Sequence, residues 1–279
     1  KSADGPMPHL YGLHLEGPWL APAQAGAQDP SLLRLPTLDH VRRVLDGSSD
    51  ITHVTAACEL PGALELGNEL ARRGILAAIG HSDAEYSQVC DALEHGYTHI
   101  THLYSGMSSL RRREARRYLG VVESSYLLDG LTVEVIADGV HLPPELLRLV
   151  VKHKELSSII LVTDATRGAG LPDGSVVKLG SLAAGQDVVV RDGVAYVLDG
   201  SCFGGSVCTS DRCVRVMWKM AETTLPQAVA MMTLNPCRAL GLDNRKGRLA
   251  PGFDADLCVF DENVNISMVF LDGEITVRR

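Results

Sequence analysis

Tyr11-Gly12-Leu13-His14-Leu15-Glu16-Gly17-Pro18-Trp19 is an apolar run that delivers one carboxylate where a strand gives way to a Gly-Pro turn. In parallel α/β proteins that position is the mouth of the sheet, where ligands are bound. Taken alone, Glu16 is better explained as a solvated strand-end residue, because single polar residues seldom carry chemistry. Its meaning depends on what the later strands place beside it.

Outward from this stretch, strands and helices alternate. Ala21 to Pro36 is a polar loop too long for a simple connector and is a candidate active-site loop. Thr37 to Leu45 has helical spacing with a capping Thr. Ile51 to Cys58 reads as a strand, Gly62 to Arg73 as a helix stopped by Gly74, Ile75 to Ser82 as a strand, and Asp83 to Glu94 as the helix behind it. Thr98 to Leu103 is the next strand, followed by a basic irregular segment, Arg111 to Arg117. Leu131 to Asp138 is a strand, Pro143 to His153 a helix, and Ser158 to Asp164 the sixth strand. This alternation predicts a parallel sheet with helical crossovers. Beyond Gly170 come Gly-rich hairpins, one turning at Asp192-Gly193, then helices over Ser210–Glu222 and Leu225–Met232. The tail from Gly247 to Val277 reads as short strands of a small β appendage, which divides the chain into a catalytic part, residues 1–245, and residues 246–279.

Composition narrows the partners. A net charge of -8 with 5% aromatic residues argues against nucleic acid, whose binders carry a basic excess and stacking platforms. No apolar run reaches the roughly 18 residues that span a bilayer, and Lys1 to Pro6 is unlike a signal peptide, so no membrane partner is expected. The 7 cysteines are scattered without a Cys-x-x-Cys pair, which fits a reducing, cytoplasmic setting.

Four strand ends carry side chains of ligand type: Glu16, His81, His102 and Asp164. In a parallel barrel all strand C-termini share one face, so residues distant in sequence converge there. Two imidazoles and a carboxylate are a usual set for a divalent metal that keeps an open position for water. A further Asp can then take the proton of that water and return it to a leaving nitrogen. His53, His95, His99 and His153 lie inside elements or at helix ends and are assigned no chemistry. His14 shares the face of Glu16 one layer deeper, and a structural role is favoured for it.

The chain resembles the N-acetylglucosamine-6-phosphate deacetylases of the amidohydrolase superfamily. The resemblance rests on Gly12-Leu13-His14-Leu15-Glu16-Gly17-Pro18, Gly80-His81-Ser82, Thr101-His102-Leu103-Tyr104, Ile136-Ala137-Asp138-Gly139-Val140-His141, Val162-Thr163-Asp164-Ala165 and the segment from Gly247 to Leu257. It implies that Glu16, His81 and His102 hold the metal, most readily Zn2+, and that Asp164 is the proton shuttle. It further implies that Asp138, Gly139, Val140 and His141 line the sugar site, that Arg113 holds the phosphate, and that Phe203, Gly204 and Gly205 approach an amino-sugar phosphate. A homodimer is implied as well.

Departures from the family pattern surround the substrate. The usual Asn-Ala after His102-Leu103-Tyr104 is Ser105-Gly106; the usual Gly-Ala-His is Gly26-Ala27-Gln28, in which Gln28 donates a hydrogen bond but cannot become a cation. The usual Pro-Gly after Arg113-Glu114 is Ala115-Arg116. The metal set is spared, so hydrolysis is better supported than the identity of the sugar. N-acetylgalactosamine-6-phosphate or another N-acyl amino-sugar phosphate stays open as substrate, as does a silent sugar-phosphate binder or a fragment. In the family the strand bearing Glu16 is the third, so the expected fold is a (β/α)8 barrel lacking its first two strands, with part of a small β-sandwich. The same gap leaves the metal count open.

Overall fold

The computed structural model describes residues 8–183, 185–200 and 202–278. Lys1 to Pro6, read above as unlike a signal peptide, lie outside the described residues. The chain begins with β1 (Leu13–Glu16) and continues through α1 (Leu38–Leu45), β2 (Ile51–Ala56), α2 (Ala63–Arg73), β3 (Leu76–Ile79), α3 (Tyr86–Glu94) and β4 (Tyr97–Ile100). A hairpin of β5 (Arg111–Arg113) and β6 (Arg116–Tyr118), then α4 (Val121–Leu127), precede β7 (Thr132–Ile136), α5 (Pro144–His153) and β8 (Ile159–Val162). The main sheet has 6 strands in the order β1-β2-β3-β4-β7-β8, with every neighbouring pair parallel. The predicted α/β alternation is thus present, and among the described residues β1 and β8 are its two edges.

This sheet is curled. In a flat sheet β1 and β4 stand three strand spacings apart, about 14 Å. Yet Oε1 of Glu16, at the end of β1, lies 2.8 Å from Nε2 of His102, just past β4. Curling brings the strand ends together and lets the helices cover the convex side. Leu66 and Leu70 of α2, Val89 of α3, and Leu147 and Val150 of α5 are fully buried there with Val54, Ile79, Ile100, Val133 and Ile159 of the strands. Each helix thus presents one apolar stripe, as its i, i+3, i+4 spacing dictates.

The second half adds β9 (Val176–Leu179), β10 (Gln186–Arg191), β11 (Val194–Val197) and β12 (Phe203–Ser206), an antiparallel sheet in the order β12-β11-β10-β9. The β10–β11 turn falls at Asp192 and Gly193, both at positive φ (53° and 75°), as an Asp-Gly hairpin requires. Next come α6 (Ser210–Met220), α7 (Leu225–Met232) and α8 (Leu234–Ala239). Asn235 closes them onto the main sheet by donating to the Leu156 and Ile159 carbonyls at 2.7 Å each. The tail forms β13 (Leu257–Phe260), β14 (Ile266–Leu271) and β15 (Glu274–Arg278), joined to α6 through Arg215, which donates to the Val264 carbonyl at 3.1 Å. No helix among the described residues is long and apolar enough to cross a membrane.

Two expectations need correction, and two helices were not anticipated. The basic segment is not irregular: Arg111 to Tyr118 is the β5–β6 hairpin, turned by Glu114 and Ala115 at φ 46° and 67°. Those residues lack the usual turn signature, which is why the sequence hides it. Two short helices, α4 and α8, had no distinct periodic pattern. The strands leading to His81, His102 and Asp164 end earlier than read, since all three residues leave the extended conformation.

The packing of α2 on β4 is tight at Gly67. A Cβ there would lie 2.4 Å from the His95 carbonyl oxygen and 2.6 Å from the Tyr97 ring, while the Tyr97 hydroxyl donates to the Ala63 carbonyl at 2.8 Å. Helix propensity favours Ala over Gly by about 1 kcal/mol. Overpacking against backbone costs about 1–3 kcal/mol and wins. Urea denaturation of Gly67→Ala should therefore show a loss of stability; a gain would contradict this packing.

Candidate active site

Four chain segments end at the open mouth of the curled sheet. Glu16 ends β1, while His81, His102 and Asp164 each follow a strand by two residues and adopt left-handed φ of 48°, 30° and 47°. Non-glycine residues are uncommon in that region, and its cost of about 1–3 kcal/mol persists only where surroundings impose it. Here it turns each side chain off its strand and into the mouth. Two glycines make room. A Cβ on Gly106 (φ 55°) would stand 2.7 Å from Nδ1 of His81, and one on Gly205 (φ 77°) 2.7 Å from Cγ2 of Thr166 and 3.6 Å from Oδ2 of Asp164.

Oε1 of Glu16 lies 2.9 Å from Nε2 of His81 and 2.8 Å from Nε2 of His102. Nδ1 of His81 sits 2.7 Å from the Gln24 carbonyl, which can only accept, so Nδ1 carries the proton. In the neutral ring, Nε2 then turns a lone pair toward a carboxylate oxygen. That arrangement needs a positive charge between them, either a proton or a cation. The Glu16–His81–His102 ligand atoms all lie within 4.8 Å of one another, and two imidazoles with a carboxylate are a donor set suited to zinc. The residues present fit a divalent metal. The Nδ1 atom of His102 is buried without a hydrogen-bond partner.

Electrostatics follow from this triad. Burial works to raise the Glu16 carboxyl, but the hydrogen bonds and charges of His102 and His81 outweigh it and hold it well below the carboxylate range. Burial opposes protonation of His102, yet Glu16 wins and lifts it to about 9. The crowded setting of Asp164 pushes its carboxyl up to about 6; His102 pulls it down and the charge of Glu16 adds to the rise. Its side chain opens onto the cavity, so solvent screening tempers the effect.

The mouth opens into a cavity of about 520 Å³. Of the residues read from sequence, Glu16, Ala27, Gln28, His81, His102, Ser105, Gly106, His141, Asp164, Phe203, Gly204 and Gly205 line it. Gln28 Nε2 donates to Oε2 of Glu16 at 3.1 Å, steadying the carboxylate. Asp138, Gly139 and Val140 stand behind. Asp138 Oδ1 accepts the backbone N–H groups of Val140 and His141 at 2.8 Å each, and Oδ2 is 2.6 Å from Nδ1 of His141. It therefore fixes the His141 ring with Nε2 free. Arg113 is not among the lining residues: it sits on the β5–β6 hairpin, ion-paired with Glu85 and stacked over Tyr118 at 4.0 Å. Gly26, Tyr104, Ile136, Thr166, Leu179, Gly180 and Cys202 complete the wall without having been foreseen as site residues. Leu179 and Phe203 belong to the antiparallel sheet, whose docking over the mouth has no local sequence signal.

Comparison with known proteins came to the same region of fold space. A model of the Amidohydrolase family matches residues 9–276. The chain is 34% identical over 271 residues to the N-acetylglucosamine-6-phosphate deacetylase of Lysinibacillus sphaericus, covering 96% of this chain and 67% of the relative. It is 30% identical over 272 residues to the N-acetylgalactosamine-6-phosphate deacetylase of Escherichia coli O157:H7, covering 97% and 69%. A mutant N-acetyl-D-glucosamine-6-phosphate deacetylase from Mycobacterium smegmatis, solved with N-acetyl-D-glucosamine-6-phosphate, superposes with a TM-score of 0.88 at 35% identity, covering 95% of this chain and 68% of that one. The chain spans about two thirds of the length of the curated relatives it matches.

A carbon-13 NMR titration of the metal-free chain tests the electrostatics. The Asp164 carboxyl should titrate above the ordinary range of about 4 and approach 6. An unshifted value near 4 would contradict the crowding described here.

Proposed function

The chain belongs to the amidohydrolase family, and from that premise we propose that it serves in metal-dependent hydrolysis of the N-acetyl group of N-acetylglucosamine-6-phosphate, giving glucosamine-6-phosphate and acetate. The observation that carries this reading is the convergence of Glu16, His81 and His102 on one point, with Asp164 and His141 on the same cavity wall. The relatives' names supply the substrate class.

Glu16, His81 and His102 would hold the divalent cation, zinc being suited to the set. When bound, it supplies Lewis acidity and an acidified water at neutral pH. Asp164 accepts the proton as the water oxygen bonds to the acetamide carbon. It returns that proton to the nitrogen as the C–N bond breaks, leaving acetate and the amino-sugar phosphate. His141, held at Nδ1 by Asp138 and lining the cavity, would hydrogen-bond the substrate. Gln28 orients Glu16.

Phosphate recognition is assigned to the arginine-rich β5–β6 hairpin. Arg113 can present its planar fork to phosphate oxygens once it exchanges Glu85 for substrate. Arg112, Arg116 and Arg117 are exposed on the same hairpin, consistent with a homodimer in which this basic edge completes a neighbour's site. The cysteines are all free thiols, in keeping with a cytoplasmic setting.

The galactosamine epimer is a second reading, favoured by Ser105 and Gly106 at the cavity wall and by similarity to the Escherichia coli enzyme. Competing the two epimers decides between them, since the ratio of kcat/KM is the relevant quantity.

Acetate release from N-acetylglucosamine-6-phosphate by the zinc-loaded protein tests the main reading. Asp164→Asn should lower kcat by about 10²–10⁴-fold with little change in KM. Unaltered turnover in that variant would remove Asp164 from the mechanism.

A further inference from the structure

One layer below the mouth, the curled sheet encloses a second group of ligand type. His53 of β2, His99 of β4 and Glu134 of β7 are 6%, 1% and 7% exposed. Their ligand atoms also lie within 4.8 Å of one another. Strand alternation explains the placement: Glu134 and Ile136 share a face of β7, so Glu134 lies one layer beneath the cavity wall to which Ile136 contributes. Histidines inside strands were assigned no chemistry from sequence. Their convergence appears only when the sheet curls.

The hydrogen-bond network fixes the protons. The Thr132 hydroxyl donates to the Thr98 carbonyl at 3.2 Å, so its oxygen accepts from Nδ1 of His99. Nε2 is then the His99 ring nitrogen left for a ligand, and it faces Oε1 of Glu134 at 3.2 Å. Nδ1 of His53 is 4.0 Å from the same oxygen. That gap is too long for a hydrogen bond, but small side-chain rotations bring it to the roughly 3.4 Å separating two donors about 2.1 Å from a shared tetrahedral ion. Nε2 of His53 is buried without any partner. The other carboxylate oxygen of Glu134 accepts the backbone N–H of His102 at 3.4 Å. A cavity of about 300 Å³, bordered by His14, Thr101 and Glu134 and sharing Glu16, His102 and Asp164 with the mouth, gives this layer a route for an ion.

We propose that His53, His99 and Glu134 form a second, buried divalent-cation site, distinct from the mouth and suited to Zn2+ or Co2+. Two imidazoles and one carboxylate are the donor chemistry those ions prefer. An ion there ties β2, β4 and β7 across the concave side and secures, through Glu134, the backbone that presents His102. Its role is structural, and it stands apart from the hydrolytic reading.

The test is metal stoichiometry after equilibrium dialysis of the metal-stripped protein against Zn2+, read by elemental analysis. The unmodified protein should retain about two equivalents. The double variant His81→Asn, His102→Asn should keep about one, and His53→Leu should also keep about one, with circular dichroism confirming that each variant is folded. In the unmodified protein, the nitrogen-15 resonances of both His53 and His99 should shift on zinc addition, which requires no variant to fold. Unmoved His53 and His99 resonances, or no zinc retained by the His81, His102 double variant, would overturn the proposal. The buried group would then be a hydrogen-bonded imidazole–carboxylate network alone.

Discussion

A single carboxylate oxygen organises the mouth of this sheet. Oε1 of Glu16 faces two imidazole nitrogens at 2.9 and 2.8 Å, one from beyond β3 and one from beyond β4. Because His81 uses its other nitrogen on the Gln24 carbonyl, the three groups are compatible only with a positive charge among them. The sheet must curl to bring them together, two histidines must take left-handed backbone, and Gly106 must leave room behind one ring. The local strain, the curl and the electrostatics thus express one requirement.

The helices supply the force for the curl. Their apolar stripes bury Leu66, Leu70, Val89 and Leu147 on the convex side, while the concave side carries an unusual load of polar side chains. Burying such groups is costly unless they are paired. Glu134 is a clear instance: burial alone would raise its carboxyl, yet the hydrogen bond and charge of His99 and the charges of His53 and His14 hold it at about 2. The concave side is polar in two layers, and Glu134 links them through the backbone of His102.

Much of the site was legible in sequence because of where its residues sit. Glu16, His81, His102 and Asp164 each end an apolar run, and a parallel sheet sends all such ends to one face. What stayed hidden depends on three-dimensional closure. Leu179 and Cys202 reach the cavity through a sheet that local patterning cannot dock. Asp138 looked like a lining residue but is buried behind His141, whose ring it orients. Arg113 reads as a phosphate ligand in sequence, yet its hairpin pairs it with Glu85. His53 and His99 read as ordinary strand residues because alternation reveals a face without revealing what faces it.

The account rests on Glu16, His81 and His102 acting as one metal-binding unit. Anomalous diffraction at the zinc edge, from crystals of the zinc-loaded protein, measures this directly. The account predicts a strong peak about 2.0–2.2 Å from Oε1 of Glu16 and Nε2 of both His81 and His102. A mouth without anomalous density, its imidazoles still hydrogen-bonded to Glu16 under saturating zinc, would contradict it.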